Sequence, residues 1–243
     1  EKTKSMPRRR GGYGHGGELE LEHEASPWVF FGMAMFVAAV LALVSILSTR
    51  HLRKIPITRM QNLLELSVSA LKNYTVSIIG PGGEKHTSFI GTLFIYILCM
   101  NLLGLIPAFK SPTSNLTITA SLAIVVFIYY NYAGIRATGL KAWWKHLMGE
   151  PVWLFPLMLP IHIIGELARP LSLAVRLYGN IFGEETVIAI LAAMSFIVIP
   201  HVIAVPYQLP LMIFGVFTAF VQALVFSSLA AIYIGLAVAN HEH

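Results

Sequence analysis

Residues 28–48 read WVFFGMAMFVAAVLALVSILS, with no Asp, Glu, Lys or Arg at any position. As a helix this stretch covers roughly 30 Å, the thickness of a bilayer's hydrocarbon layer. Residues 88–109 and 116–135 repeat the pattern, again without a formal charge. In water each would need a large core around it, and three such stretches rarely coexist in a soluble chain. The expected fold class is therefore all-α integral membrane.

Composition agrees: 56% of the 243 residues are hydrophobic and 12% charged, and mean hydropathy is +0.70. A net charge of +5 could suggest nucleic acid, but Lys and Arg lie almost entirely between the apolar stretches or in the first residues, where they set topology. No nucleic-acid partner is expected. Cys99 is the only cysteine, so no intrachain disulfide can form. Residues 1–27 are basic, then glycine-rich, then acidic, too polar to pack, and are expected to form a flexible arm without a cleavable signal peptide.

Between the first two spans, Met60, Leu64, Val68, Leu71, Tyr74 and Ile78 recur at three- and four-residue steps, while Arg59, Glu65, Lys72 and Asn73 fall off that stripe. The spacing predicts an amphipathic interfacial helix over 56–80, ended by the turn residues Pro81, Gly82 and Gly83. Beyond Ile135 comes a basic and aromatic loop with Arg136, Lys141, Trp143, Trp144 and Lys145. The second half differs. A charged helical region over 152–199 and a C-terminal helix over 207–240 are longer than a straight crossing needs, since 167–199 alone reaches about 50 Å. Both must tilt or bend, joined as a hairpin at 200–206, where Pro200 and Pro206 interrupt the helical ladder. Five crossings plus one interfacial helix result. Six Lys or Arg residues in 49–87 and three in 136–150, against Lys110 in an opposite loop, place those basic loops and the C terminus on the cytoplasmic side and the N terminus outside.

Glu166, Arg169, Arg176, Glu184 and Glu185 are the ionised residues at membrane depth. A charge there costs a few kcal/mol, roughly 3 on insertion scales, so it faces protein or water and marks function. With about 100° per residue, Arg169, Ser172, Arg176, Asn180 and Gly183 fall within about 40° of one line, a small and polar stripe open to another helix. Glu185 points to the opposite side, about 13.5 Å along the axis from Arg176. On the last helix Gly215, Thr218, Gln222 and Tyr233 share a face. The pair His162 and Glu166, at i and i+4, has metal-ligand spacing but is read as an ordinary internal pair; no metal and no cofactor is expected.

The string LARPLSLAVRLYGN over 167–180 closely resembles the signature of subunit a of F-type ATP synthases. MNLLGLIP over 100–107, SNLT over 114–117 and QALVF over 222–226 match the same family in the same order, so the resemblance covers about residues 28–240. It implies that Arg176 is the essential arginine facing a ring of c subunits, with Asn180 beside it and Gln222 packed opposite. Glu185 matches a family carboxylate in one aqueous half-channel, and Glu166 resembles an acidic residue upstream of the arginine in some members. Glu184, Ser172, His201, Asn101, Thr218 and Tyr233 are candidates for half-channel lining. Gly215 departs from members with a histidine seven residues before the glutamine; His201 or Glu184 would have to substitute.

The implied function is a proton-translocating stator subunit, with the c ring, b-type peripheral stalk subunits and the remaining synthase as partners. The implied location is an energy-transducing membrane, the bacterial inner membrane first, thylakoid or mitochondrial inner membrane as alternatives. The chain is expected not to be catalytic alone, since no Walker-type phosphate loop is present. The competing readings are a secondary transporter, against which the charged helix occurs only once rather than in an inverted repeat, and a structural membrane subunit.

Overall fold

In a computed structural model, residues 27–50, 59–106, 109, 111–139, 155–198 and 205–239 are described. Six α-helices occur among them: α1 (Pro27–Thr49), α2 (Arg59–Ile79), α3 (Thr87–Gly104), α4 (Leu116–Thr138), α5 (Phe155–Val198) and α6 (Val205–Ala239). Five stretches are long and apolar enough to cross a membrane: Trp28–Thr49, Gly83–Gly104, Leu116–Thr138, Met158–Ile190 and Met212–Val238. The expected fold class stands. Helix α2, the amphipathic segment, is not among the five. Leu71, Tyr74 and Ile78 of its apolar stripe are partly covered while Leu64 and Val68 are exposed. Tyr74 Oη hydrogen-bonds to Ser228 Oγ of α6, which ties the C-terminal half of α2 to the bundle.

Local chemistry sets the helix ends. Asn115 caps α4, its side chain accepting from the Thr117 N–H at 2.8 Å, an arrangement that contributes about 1 kcal/mol. Gly139, at φ 85°, closes the same helix in a conformation that side chains disfavour. The second crossing, expected over 88–109, is helical only to Gly104, and Ser111 packs against that end.

Helix α5 runs for 44 residues with Pro160 and Pro170 inside it, about 66 Å if straight and far beyond the hydrocarbon thickness. Pro170 supplies no N–H to the carbonyl one turn earlier, which loosens the ladder there. The hairpin expected at 200–206 lies largely outside the described residues, but Val205 and Pro206 already belong to α6. A first-turn proline costs little, because its missing N–H would have had no helical partner.

Helices α2, α3, α4 and α5 all pack against α6. The inward face of α6 is small-residue rich: Ala219, Ala223, Ala230 and Ala231 are buried with Phe226 and Ile234. In lipid, apolarity does not select a partner helix, so close packing of small side chains does. At Gly134 of α4 an added Cβ would come within 3.3 Å of Ala237 Cβ, which shows how closely α4 and α6 approach.

Candidate functional site

The buried face of α5 carries Leu173, Ala174, Leu177 and Ile181. Ser172, Arg176, Gly179 and Asn180 lie on its exposed face. Arg176 makes no ion pair or hydrogen bond with any described residue. The stripe read from the sequence therefore stays open around Arg176, but Arg169 leaves it. Its Nη1 is 2.7 Å from Glu166 Oε1, and its guanidinium lies 6.0 Å from the Tyr130 ring centroid and 5.6 Å from that of Tyr233. Tyr130 Oη donates to the other Glu166 oxygen at 2.6 Å. Two aromatic rings and one carboxylate from α4, α5 and α6 thus surround Arg169, and its charge is balanced within the chain.

Replacing Tyr130 by Phe keeps the ring and deletes that donor. The expected result is a loss of roughly 1 kcal/mol, read as a lower thermal midpoint of the detergent-solubilised chain; an unchanged midpoint would show that this hydrogen bond adds nothing.

On the other side of Arg176 the polar groups divide between two surroundings. Asn180 Nδ2 donates to Gln222 Oε1 at 2.7 Å, joining α5 to α6 one turn from the arginine. Gln222 is 4% exposed, and its Nε2 is buried without a partner among the described residues. Both residues line a cleft of about 460 Å³ between the helices, together with Gly183, Glu184, Phe217 and Thr218. Glu184 turns into this cleft, accepting from Thr218 Oγ1 at 2.7 Å, while its Oε1 is buried and unpartnered among the described residues. The adjacent Glu185 faces elsewhere, accepting the Ser111 N–H at 3.2 Å. One residue of separation turns a helix by about 100°, which is why neighbouring carboxylates serve different surfaces.

Gly215 stands where the resemblance implies a histidine in some members. A Cβ built there would collide with the Glu184 carboxylate and with Leu105, so glycine on α6 leaves the volume that Glu184 of α5 fills. Glu184 is the group that stands over position 215; His201 lies outside the described residues. Thr218, Gln222 and Tyr233 all turn inward with Gly215. Asn101, on α3, accepts from Thr113 at 2.7 Å, and Ser172 stays on the exposed face with Arg176. Among the described residues no third His, Cys, Asp or Glu joins His162 and Glu166 as a metal-binding group.

Tyr130, Ser111 and Thr113 escape the sequence reading. Tyr130 sits in an uncharged span that periodicity marks only as apolar. The polar run Ser111-Pro112-Thr113-Ser114 before the third span was the available signal for the other two.

Comparison with known proteins adds to this geometry. The family model described as ATP synthase A chain matches residues 30–235. The chain is 42% identical over 215 residues to ATP synthase subunit a of Protochlamydia amoebophila, covering 85% of this chain and 79% of that one. It is 40% identical over 229 residues to ATP synthase subunit a of Oleidesulfovibrio alaskensis, covering 92% and 90%. The protein of the same name from Desulfosudis oleivorans is 39% identical over 225 residues, covering 93% and 94%. With a family model across most of its length and relatives of this similarity, the chain belongs to the ATP synthase A chain family.

Proposed function

We propose that this chain is the proton-translocating stator subunit of a rotary F-type ATP synthase, with Arg176 as the fixed cation that separates two half-channels. The observation that carries the reading is the environment of Arg176. The guanidinium stays protonated at any physiological pH, occupies the exposed face of a crossing helix, and is left unneutralised by the described residues, whereas Arg169 is neutralised internally. This open face leaves room for a counter-charge on another chain. A carboxylate carried past on a ring of c subunits supplies it.

Polar groups flank Arg176 along α5. Glu166 lies about 15 Å to one side and Glu184 about 12 Å to the other. In the proposed cycle protons reach the ring through water on the Glu184 and Glu185 side and leave past Glu166, or travel the reverse way. A ring carboxylate that approaches Arg176 is favoured in its ionised form and must regain a proton before it enters lipid. Arg176 cannot relay protons itself, so the two half-channels are joined only through rotation. Each proton moved down the membrane potential supplies about 2.3 kcal/mol per 100 mV. The Asn180–Gln222 hydrogen bond holds α5 and α6 together beside the cation.

Under this reading the partners are the c ring, b-type stalk subunits and the rest of the synthase. The bacterial inner membrane is the proposed location, which the bacterial origin of the relatives supports. In this reading the N terminus lies outside and the C terminus on the cytoplasmic side, an orientation that the excess of Lys and Arg in the loops on that side supports.

A disulfide cross-link tests the reading. Ser172→Cys, one turn from Arg176 and exposed, is expected to link to a cysteine on the outer helix of a ring subunit in the assembled complex. No link, from a cysteine that still reacts with a soluble thiol reagent, would overturn it. Solute uptake by the isolated chain in vesicles would favour a transporter instead.

A further inference from the structure

The α3–α4 connection contains a hydrogen-bonded chain that proton transfer along α5 leaves without a role. Gly104 closes α3, and a Cβ there would sit 2.5 Å from Ser111 Cβ, so bare backbone is what lets Ser111 fold back over the helix end. Ser111 Oγ lies 2.6 Å from Thr113 Oγ1 and 3.3 Å from the Met100 carbonyl. Thr113 Oγ1 donates to Asn101 Oδ1 at 2.7 Å, and Asn101 Nδ2 reaches the Ala219 carbonyl of α6 at 3.5 Å. Exposures of Ser111, Thr113 and Asn101 are 1%, 0% and 3%.

Each hydroxyl has one proton. Because Thr113 gives its proton to Asn101, it can only accept from Ser111, and the chain runs in one direction to the main chain of α6. Its outcome is the orientation of a single backbone group, the Ser111 N–H, which donates to Glu185 Oε1 at 3.2 Å.

We propose that Asn101, Thr113 and Ser111 form a positioning clamp for Glu185, in which the first two hold the Ser111 amide against the carboxylate. The α3–α4 connection, together with α5, then sets where the proton-carrying oxygen stands, and Asn101 is a positioning residue, not channel lining. The clamp rests on the reading of Glu185 as a proton carrier.

The test is ATP-driven proton pumping by the complete synthase in vesicles, normalised to the amount of this chain in the complex. Thr113→Val keeps the shape and deletes the hydroxyl; pumping is expected to fall about fivefold, the size of one lost buried hydrogen bond. Thr113→Ser restores the hydroxyl and is expected to recover at least half of the parent rate. Glu185→Asp draws the carboxylate back by about 1.5 Å, one carbon–carbon bond, and breaks the same contact from the other side. The combined Thr113→Val and Glu185→Asp variant is then no slower than the slower single variant.

Multiplying effects, equal losses with Val and Ser, or a fall confined to incorporation into the complex would each overturn the clamp. Glu185→Gln separates the underlying reading: parent-like pumping by that variant would show that Glu185 carries no proton, whatever Thr113 does.

Discussion

Arg176→Ala is expected to abolish proton-driven ATP synthesis, at least about 100-fold below the parent, while the chain still assembles. At an effective dielectric constant near 20, a guanidinium and a carboxylate about 4 Å apart interact by roughly 4 kcal/mol, and removing that term makes each passage of an ionised ring carboxylate slower by orders of magnitude. Assembly survives because the described residues place no partner on Arg176 that its loss would strand. In the proposed cycle, removal of the cation also removes the barrier between the half-channels, so passive proton leak through the membrane sector is expected to persist or rise. Arg176→Lys keeps a charge without the planar fork and is expected to restore part of the barrier to leak but little synthesis. ATP synthesis and leak in reconstituted vesicles measure both, and parent-like coupling in the Ala variant would refute the mechanism.

Gly215→Ala has the second largest expected effect, from a single methyl group. The added Cβ meets only the ends of two flexible side chains, Glu184 and Leu105, so the fold can absorb it and assembly should be close to normal. Glu184 cannot stay where it is. Its hydrogen bond with Thr218, a charge-assisted contact of roughly 2 kcal/mol when the carboxylate is ionised, is lost or distorted, and proton pumping is expected to fall about tenfold or more. Glu184→Ala removes the same group directly, so the double variant should be no worse than Glu184→Ala alone. A Gly215→Ala protein that pumps normally would show that the carboxylate does not need this position.

Much of this was legible along the chain because lipid imposes simple rules. A crossing helix needs about 20 apolar residues, so three of the spans were visible as uncharged runs, and the amphipathic stripe between the first two as a three- and four-residue period. A charge in the hydrocarbon layer is costly, which singled out five residues of α5. The angular reading of α5 was correct for Ser172, Arg176 and Asn180, which share an exposed face, and it also placed Glu185 on another surface than Arg176.

The surroundings of those charges were not legible. Arg169 and Arg176 occupy the same stripe in projection, yet Arg169 pairs with Glu166 beside the Tyr130 and Tyr233 rings while Arg176 remains open, a distinction to which helices α4 and α6 contribute. Glu184 and Glu185 are adjacent and chemically identical, but one meets Gly215 and Thr218 and the other the Ser111 amide.

By itself, then, the sequence determined that the protein lies in a membrane, how many times it can cross, and which residues carry charge into the hydrocarbon layer, because these follow from length and transfer free energy. Which charge the described residues neutralise and which they leave open was decided only by tertiary structure. In lipid all apolar helix faces are nearly equivalent, so partner choice falls to small-residue contacts and hydrogen bonds between residues as far apart as Tyr74 and Ser228, 154 positions along the chain.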